Sequence, residues 1–173
     1  LRGLLVMYKK NQTGVGMFEV LVALFVLAIG VLGFSALQLR AVDATIEAND
    51  KTLAMNVARD LAERIRINRL SLEDYVNAIN TRTFDTTCLI ATPTSNSRPA
   101  CNGATLARYD AGEIVQIAQN QGQQIVMADC HESTRTCIYV AWGHTNIAND
   151  NIASCMVAGS YVANAKCIVL EAF

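Results

Sequence analysis

From Val20 to Leu39 no side chain carries a charge, and only Ser35 and Gln38 are distinctly polar. A helix of that length rises ~30 Å, enough to cross the hydrocarbon core of a bilayer. The pattern then changes without a break. Residues 40–69 contain neither Pro nor Gly, and Leu53, Val57, Leu61 and Ile65 recur every four residues with Ala54, Ala58 and Ala62 beside them. That spacing draws one apolar stripe along an amphipathic helix. It fits packing on a core better than a free coiled coil, because four-residue spacing does not sustain a heptad seam. The chain therefore predicts one helix from about Met17 to Arg69, ~80 Å long at ~1.5 Å per residue. Asp60/Arg64 and Glu47/Lys51 are spaced as acid-to-base pairs one turn apart, each worth a few tenths of a kcal/mol. Arg59, Arg64, Arg66 and Arg69 make the end of this helix basic, which suits the negative end of its dipole. Contact with phospholipid or an acidic neighbour is the rival reading.

Beyond residue 70 the elements shorten. Ser71 is placed to cap a short helix carrying Glu73, Asp74, Tyr75, Val76 and Ile79. Residues 92–103, with both prolines of the chain (Pro93 and Pro99), predict a loop. Tyr109–Gln121 predicts a second short helix, with Asp110 at its start and Ile114, Ile117 and Ala118 on one side. Strand signals follow at Gln124–Asp129, Thr136–Trp142 and Lys166–Phe173, rich in β-branched and aromatic residues. Helices and strands are segregated rather than alternating, so the expected class is α+β, with an antiparallel sheet packed on the long helix. Tyr139 and Trp142 sit at strand spacing and read as core or interface anchors.

Composition sharpens the picture at three points. The chain has 14 basic and 15 acidic side chains for a net charge of −1, and no basic patch supports nucleic-acid recognition. Lys9 and Lys10 precede the apolar run, which places the N-terminus in the cytoplasm and the bulk of the chain outside. A cleaved secretory signal fits poorly, since its apolar core would be only ~7–15 residues and would end in a small-x-small site. All six cysteines lie between Cys88 and Cys167. An even number in an oxidising compartment implies a disulfide framework. Fifteen pairings are open. Sequence order suggests Cys88–Cys101, Cys130–Cys137 and Cys155–Cys167, short loops each worth roughly 2–3 kcal/mol.

Catalytic and metal readings are thin. Cys130, His131, Glu132 and Cys137 bring ligand types together, but without Cys-x-x-Cys or His-x3-His spacing, so no metal is expected. No Gly-x-Ser-x-Gly, phosphate-binding loop or His-Glu-x-x-His occurs. A Cys137/His144 nucleophilic pair would require a free thiolate where disulfides are expected. No cofactor is implied, and the chain reads as a non-enzyme.

One residue does not fit a plain anchor. Glu19 stands at the start of the apolar block, where a carboxylate costs a few kcal/mol unless it is solvated at the interface or finds a partner. The stretch Lys9-Lys10-Asn11-Gln12-Thr13-Gly14, followed by Val15-Gly16-Met17-Phe18-Glu19 and an apolar run, resembles the class III leader of type IV pilins and pseudopilins. In that family a basic leader ends in Gly, prepilin peptidase cuts after it and methylates the new amine, and Glu follows at the fifth mature position. The matching residues are Gly14, Val15 and Glu19; Val15 stands where most members have Phe. Met7 is the expected initiator; residues 1–6 are then either translated from an upstream start or no part of the translated chain. The resemblance implies residues 1–14 as a leader, 15–39 as a transmembrane assembly helix, 40–69 as an amphipathic helix on the head, and 70–173 as an extracytoplasmic α+β head. After Gly14, 11 basic side chains remain against all 15 acidic ones, because Arg2, Lys9 and Lys10 precede it. The amine of Val15 in one subunit could then neutralise Glu19 of its neighbour, since buried charges are tolerable only when paired.

The segment Arg59-Asp60-Leu61-Ala62-Glu63-Arg64-Ile65-Arg66-Ile67-Asn68-Arg69 is similar to the corresponding stretch of PilV-type minor pilins. That resemblance implies a minor subunit of the type IV pilin fold. It would start in the bacterial inner membrane with a periplasmic head, help initiate pilus assembly, and end at or near the fibre tip. Implied partners are prepilin peptidase, other minor pilins, the major pilin, an inner-membrane assembly platform and a tip adhesin, in the service of motility, adhesion or DNA uptake. The alternatives are a minor pseudopilin of type II secretion and, from another class, a membrane-anchored periplasmic enzyme.

Overall fold

The computed structural model describes Gly14, residues 16–86, Cys88, and residues 101–131, 133–149 and 151–172. The chain forms two compact units, residues 1–45 and 46–173. One helix, α1 (Met17–Ile67), contributes to both. In the first unit it stands alone among the described residues, and its apolar side chains are exposed. Ser35 Oγ donates to the carbonyl of Val31 at 2.9 Å and Thr45 Oγ1 to that of Ala41 at 2.8 Å, so these hydroxyls are satisfied within the helix.

In the second unit α1 ends at Ile67, just short of the expected Arg69. A 3₁₀ turn (Arg69–Ser71) leads into α2 (Leu72–Thr81). Ser71 precedes α2 but makes no side-chain cap bond. α3 (Gly103–Asn120) begins six residues before the expected Tyr109. The side chain of Asn102 accepts from the Thr105 N–H at 2.9 Å, a proper N-cap hidden at the edge of the proline loop. Asp110 is therefore in mid-helix, and buried. Of the expected loop, residues 92–100 lie outside the described residues. Gly122, at φ 69°, turns the chain from α3 into β1 in the left-handed region that glycine tolerates best.

Three strands, β1 (Gln123–Asp129), β2 (Thr136–Trp142) and β5 (Cys167–Glu171), form an antiparallel sheet in the order β1-β2-β5. Register pairs Ile125 with Val140 and Val140 with Ile168 across the sheet. Residues 143–166 leave it and return. They carry a small hairpin, β3 (Met156–Val157) and β4 (Ser160–Tyr161), absent from the sequence reading. Its turn residues Ala158 and Gly159 both have positive φ, the conformation of a type I′ turn. At Gly159 a Cβ would come within 2.6 Å of the His131 ring, so a larger residue there must displace it.

Alternation along the strands makes two cores. Ile125, Met127, Ile138, Val140, Trp142 and Ile168 face the helices and pack with the α1 stripe Ala54, Val57, Ala58, Leu61 and Ile65 and with α2 and α3. The opposite face, Val126, Cys137, Tyr139 and Ala141, is covered by the excursion through Ile147 and Cys155. The outer edge of β1 is closed by side chains. Asn80 donates to the Met127 carbonyl at 2.7 Å and accepts from its N–H at 3.0 Å, in place of a neighbouring strand. An open edge is a template for unwanted pairing, and this one is blunted.

Candidate functional site

Over residues 16–39 the first unit presents an apolar surface with a single charge. Glu19 lies in the first turn of α1, its N–H donating to the Gly16 carbonyl at 2.9 Å. A carboxylate there is favoured by the positive end of the helix dipole. Val20, Ala23, Leu24 and Leu27 line a shallow hollow with it. Its carboxylate makes no hydrogen bond or ion pair among the described residues. Gly14 is exposed, while Val15 lies outside the described residues. The apolar side chains around and beyond Glu19 are bare: Phe18 is 78% and Leu32 70% exposed. An apolar surface this extensive is covered by lipid or by other chains, because a monomer in water does not leave it open. By length and composition α1 can cross a membrane, with a mean hydropathy of 2.8 over its most apolar 18 residues.

In the head, the Asp60/Arg64 pair proves to be part of a larger latch. Arg64 Nε meets Asp60 Oδ1 at 3.0 Å, and its NH1 reaches Asp110 Oδ1 at 2.7 Å and Glu113 Oε2 at 2.8 Å on α3. Tyr75 of α2 donates to Asp110 Oδ2 at 2.6 Å, and Tyr109 to Glu113 Oε1 at 2.6 Å. One guanidinium thus ties α1 to α3, and a phenol adds α2. Burial works against the Arg64 charge, but bonds to Glu113, Asp60 and Asp110 more than offset it and hold the pKa above its ordinary value. Burial, then the Asp110 bond, pushes the Tyr75 phenol up. The Tyr109 hydroxyl and Arg64 hold the Glu113 carboxyl below its ordinary range. Placement at the helix end explains Arg64 less well than these bonds do. Glu47 pairs across the fold with Lys166, at 2.5 Å, rather than with Lys51 one turn away.

Disulfides join Cys88 to Cys101, Cys130 to Cys137 and Cys155 to Cys167. The second closes the β1–β2 connection, and the third anchors the excursion to β5. No cysteine is free, so Cys137 has no thiol to offer His144. His144 is exposed, with Nε2 3.1 Å from the Asn164 carbonyl. Tyr139 and Trp142 are buried in the two faces of β2. No cluster of three or more metal-ligating side chains occurs among the described residues. No local pattern marks Asp110, Glu113, Tyr75 and Tyr109 as partners of Arg64. Asp110 on an otherwise apolar helical face was the available signal.

Residues 36–112 match the model of the Tt1218-like family, described as type IV pilin Tt1218. No curated protein and no solved structure matches the chain. The long N-terminal helix, the three-stranded antiparallel sheet and the disulfides have the architecture of the type IV pilin α+β fold. The match covers less than half of the chain; together with the fold it supports a type IV pilin.

Proposed function

We propose that this pilin is a PilV-type minor subunit, processed between Gly14 and Val15, N-methylated at Val15, and held in the bacterial inner membrane by α1 until it enters a pilus. The observation that carries the reading is Glu19, an acid without a partner among the described residues, in the exposed apolar part of α1. Its counter-charge is the processed Val15 amine of a neighbouring subunit, and the pair sets the axial register of packed helices. The head stays outside the membrane, where the compartment oxidises its cysteines. The subunit helps initiate assembly and rides at or near the tip with other minor pilins, connecting the major pilin below to an adhesin above.

Mass spectrometry of the non-reduced mature protein tests the processing. The expected species begins at a methylated Val15 and carries three bridges; an unprocessed Gly14–Val15 bond sinks the proposal. Glu19→Ala is expected to abolish incorporation into fibres while leaving the head folded. Normal piliation in that strain counts against the register role. Loss of exoprotein secretion with pili intact would assign the subunit to a type II secretion pseudopilus instead.

A further inference from the structure

At the turn between α1 and α2 the head exposes two large aliphatic side chains, Ile67 at 85% and Leu70 at 97%. Basic residues flank them: Arg66, and Arg69, which has no hydrogen bond or ion pair among the described residues. Leu70 also forms part of the rim of a hollow of about 410 Å³ lined by Leu72, Val76 and Ala128, with Glu73 and Asp129 among its lining side chains. Neither of those carboxylates has a partner among the described residues. The same patch thus joins an apolar knob with basic flanks to an apolar hollow with acidic flanks.

Charge complementarity selects the occupant. An anionic lipid surface or a polyanion would be drawn to Arg66 and Arg69 but repelled by Glu73 and Asp129. A two-fold contact requires a patch that complements itself, and this one carries both signs of charge beside an apolar knob and an apolar hollow. We propose that the patch docks a second copy of this chain. Leu70 of each copy enters the hollow of the other, and each Arg69 faces the acids of the opposite hollow. The contact is small, so it is expected to be reversible rather than obligate. It does not depend on leader processing or on minor-subunit status.

The test is photo-crosslinking of the full chain in phospholipid vesicles, with Leu70→p-benzoylphenylalanine. The nearly complete exposure of Leu70 makes the replacement compatible with folding. The expected product is a dimer whose crosslink maps, by mass spectrometry, to residues 72–76 or 128–136 of the second copy. Arg69→Glu is expected to lower the dimer yield several-fold, and adding Glu73→Arg to restore it. A crosslink only to lipid or to another region, or a yield indifferent to Arg69→Glu, overturns the proposal. Retained disulfide-dependent mobility and circular dichroism in each variant separate lost docking from lost folding.

Discussion

Arg64 shows how one side chain can hold three helices. Its side chain is 25% exposed and that of Asp110 13%, so the pair is neither fully solvated nor fully buried. Removing the cation leaves Asp110 facing Tyr75 without a counter-charge, with Asp60 and Glu113 now repelling it. Arg64→Met is expected to destabilise the head by about 2–4 kcal/mol, read from denaturant unfolding, because an uncompensated charge in a restricted site costs more than the pair contributes. Asp110→Asn in that background should recover part of the loss. pH acts on the same cluster. The folded Glu113 pKa lies below its ordinary 4.5, so its contribution is present above about pH 4.5 and is lost as pH falls through the folded value. The folded Tyr75 pKa lies above 10, so its contribution is complete below about pH 10 and is lost as pH rises through the folded value. Thermal unfolding across pH should show a plateau between those limits, and Glu113→Gln should reduce the slope of the acid limb.

At the scale of elements, α2, α3 and the sheet are held by burial, whereas the excursion from Gly143 to Lys166 is held by its covalent anchor and a small core. Cys155 is fully buried against Cys137, Tyr139 and Ala141. Replacing Cys155 and Cys167 together by Ala is expected to cost about 2–4 kcal/mol. The loss should be local first. Hydrogen exchange should speed up in the β3–β4 hairpin while β1 and β2 keep their protection, because their shared ladder and the inner core are untouched. Unchanged exchange in the hairpin would show that the bridge adds nothing there. β2 was legible from its β-branched and aromatic run, and the long helix from its apolar block and four-residue stripe. The start of α3 was not, because Asn102 looks like one more loop residue until its side chain meets Thr105. The β3–β4 hairpin was not either, since two-residue strands carry too little periodicity to stand out.

For the whole molecule, the decisive surface is the one the chain cannot bury by itself. The apolar residues of the first unit find no partners among the described residues, so lipid or other chains must cover them. Two arginines in the middle of the run, Ile29→Arg with Leu32→Arg, should release the chain from an alkali-washed membrane fraction, because each costs about 2.5–3.5 kcal/mol at the centre of a spanning helix. Retention of that variant would place the anchor elsewhere.

Patterns along the chain determined the α+β class, the apolar helix and the strand periods, because spacing at 3.6 and 2 residues is local information. Local patterns also singled out Glu19, through the contrast of one acid with its apolar surroundings. Only the tertiary structure decided that Arg64 binds Asp110 and Glu113, that Glu47 answers Lys166, and that Asn80 closes the edge of β1. These contacts join residues tens of positions apart, and no local pattern encodes which distant side chain will stand within hydrogen-bonding reach once the cores have packed.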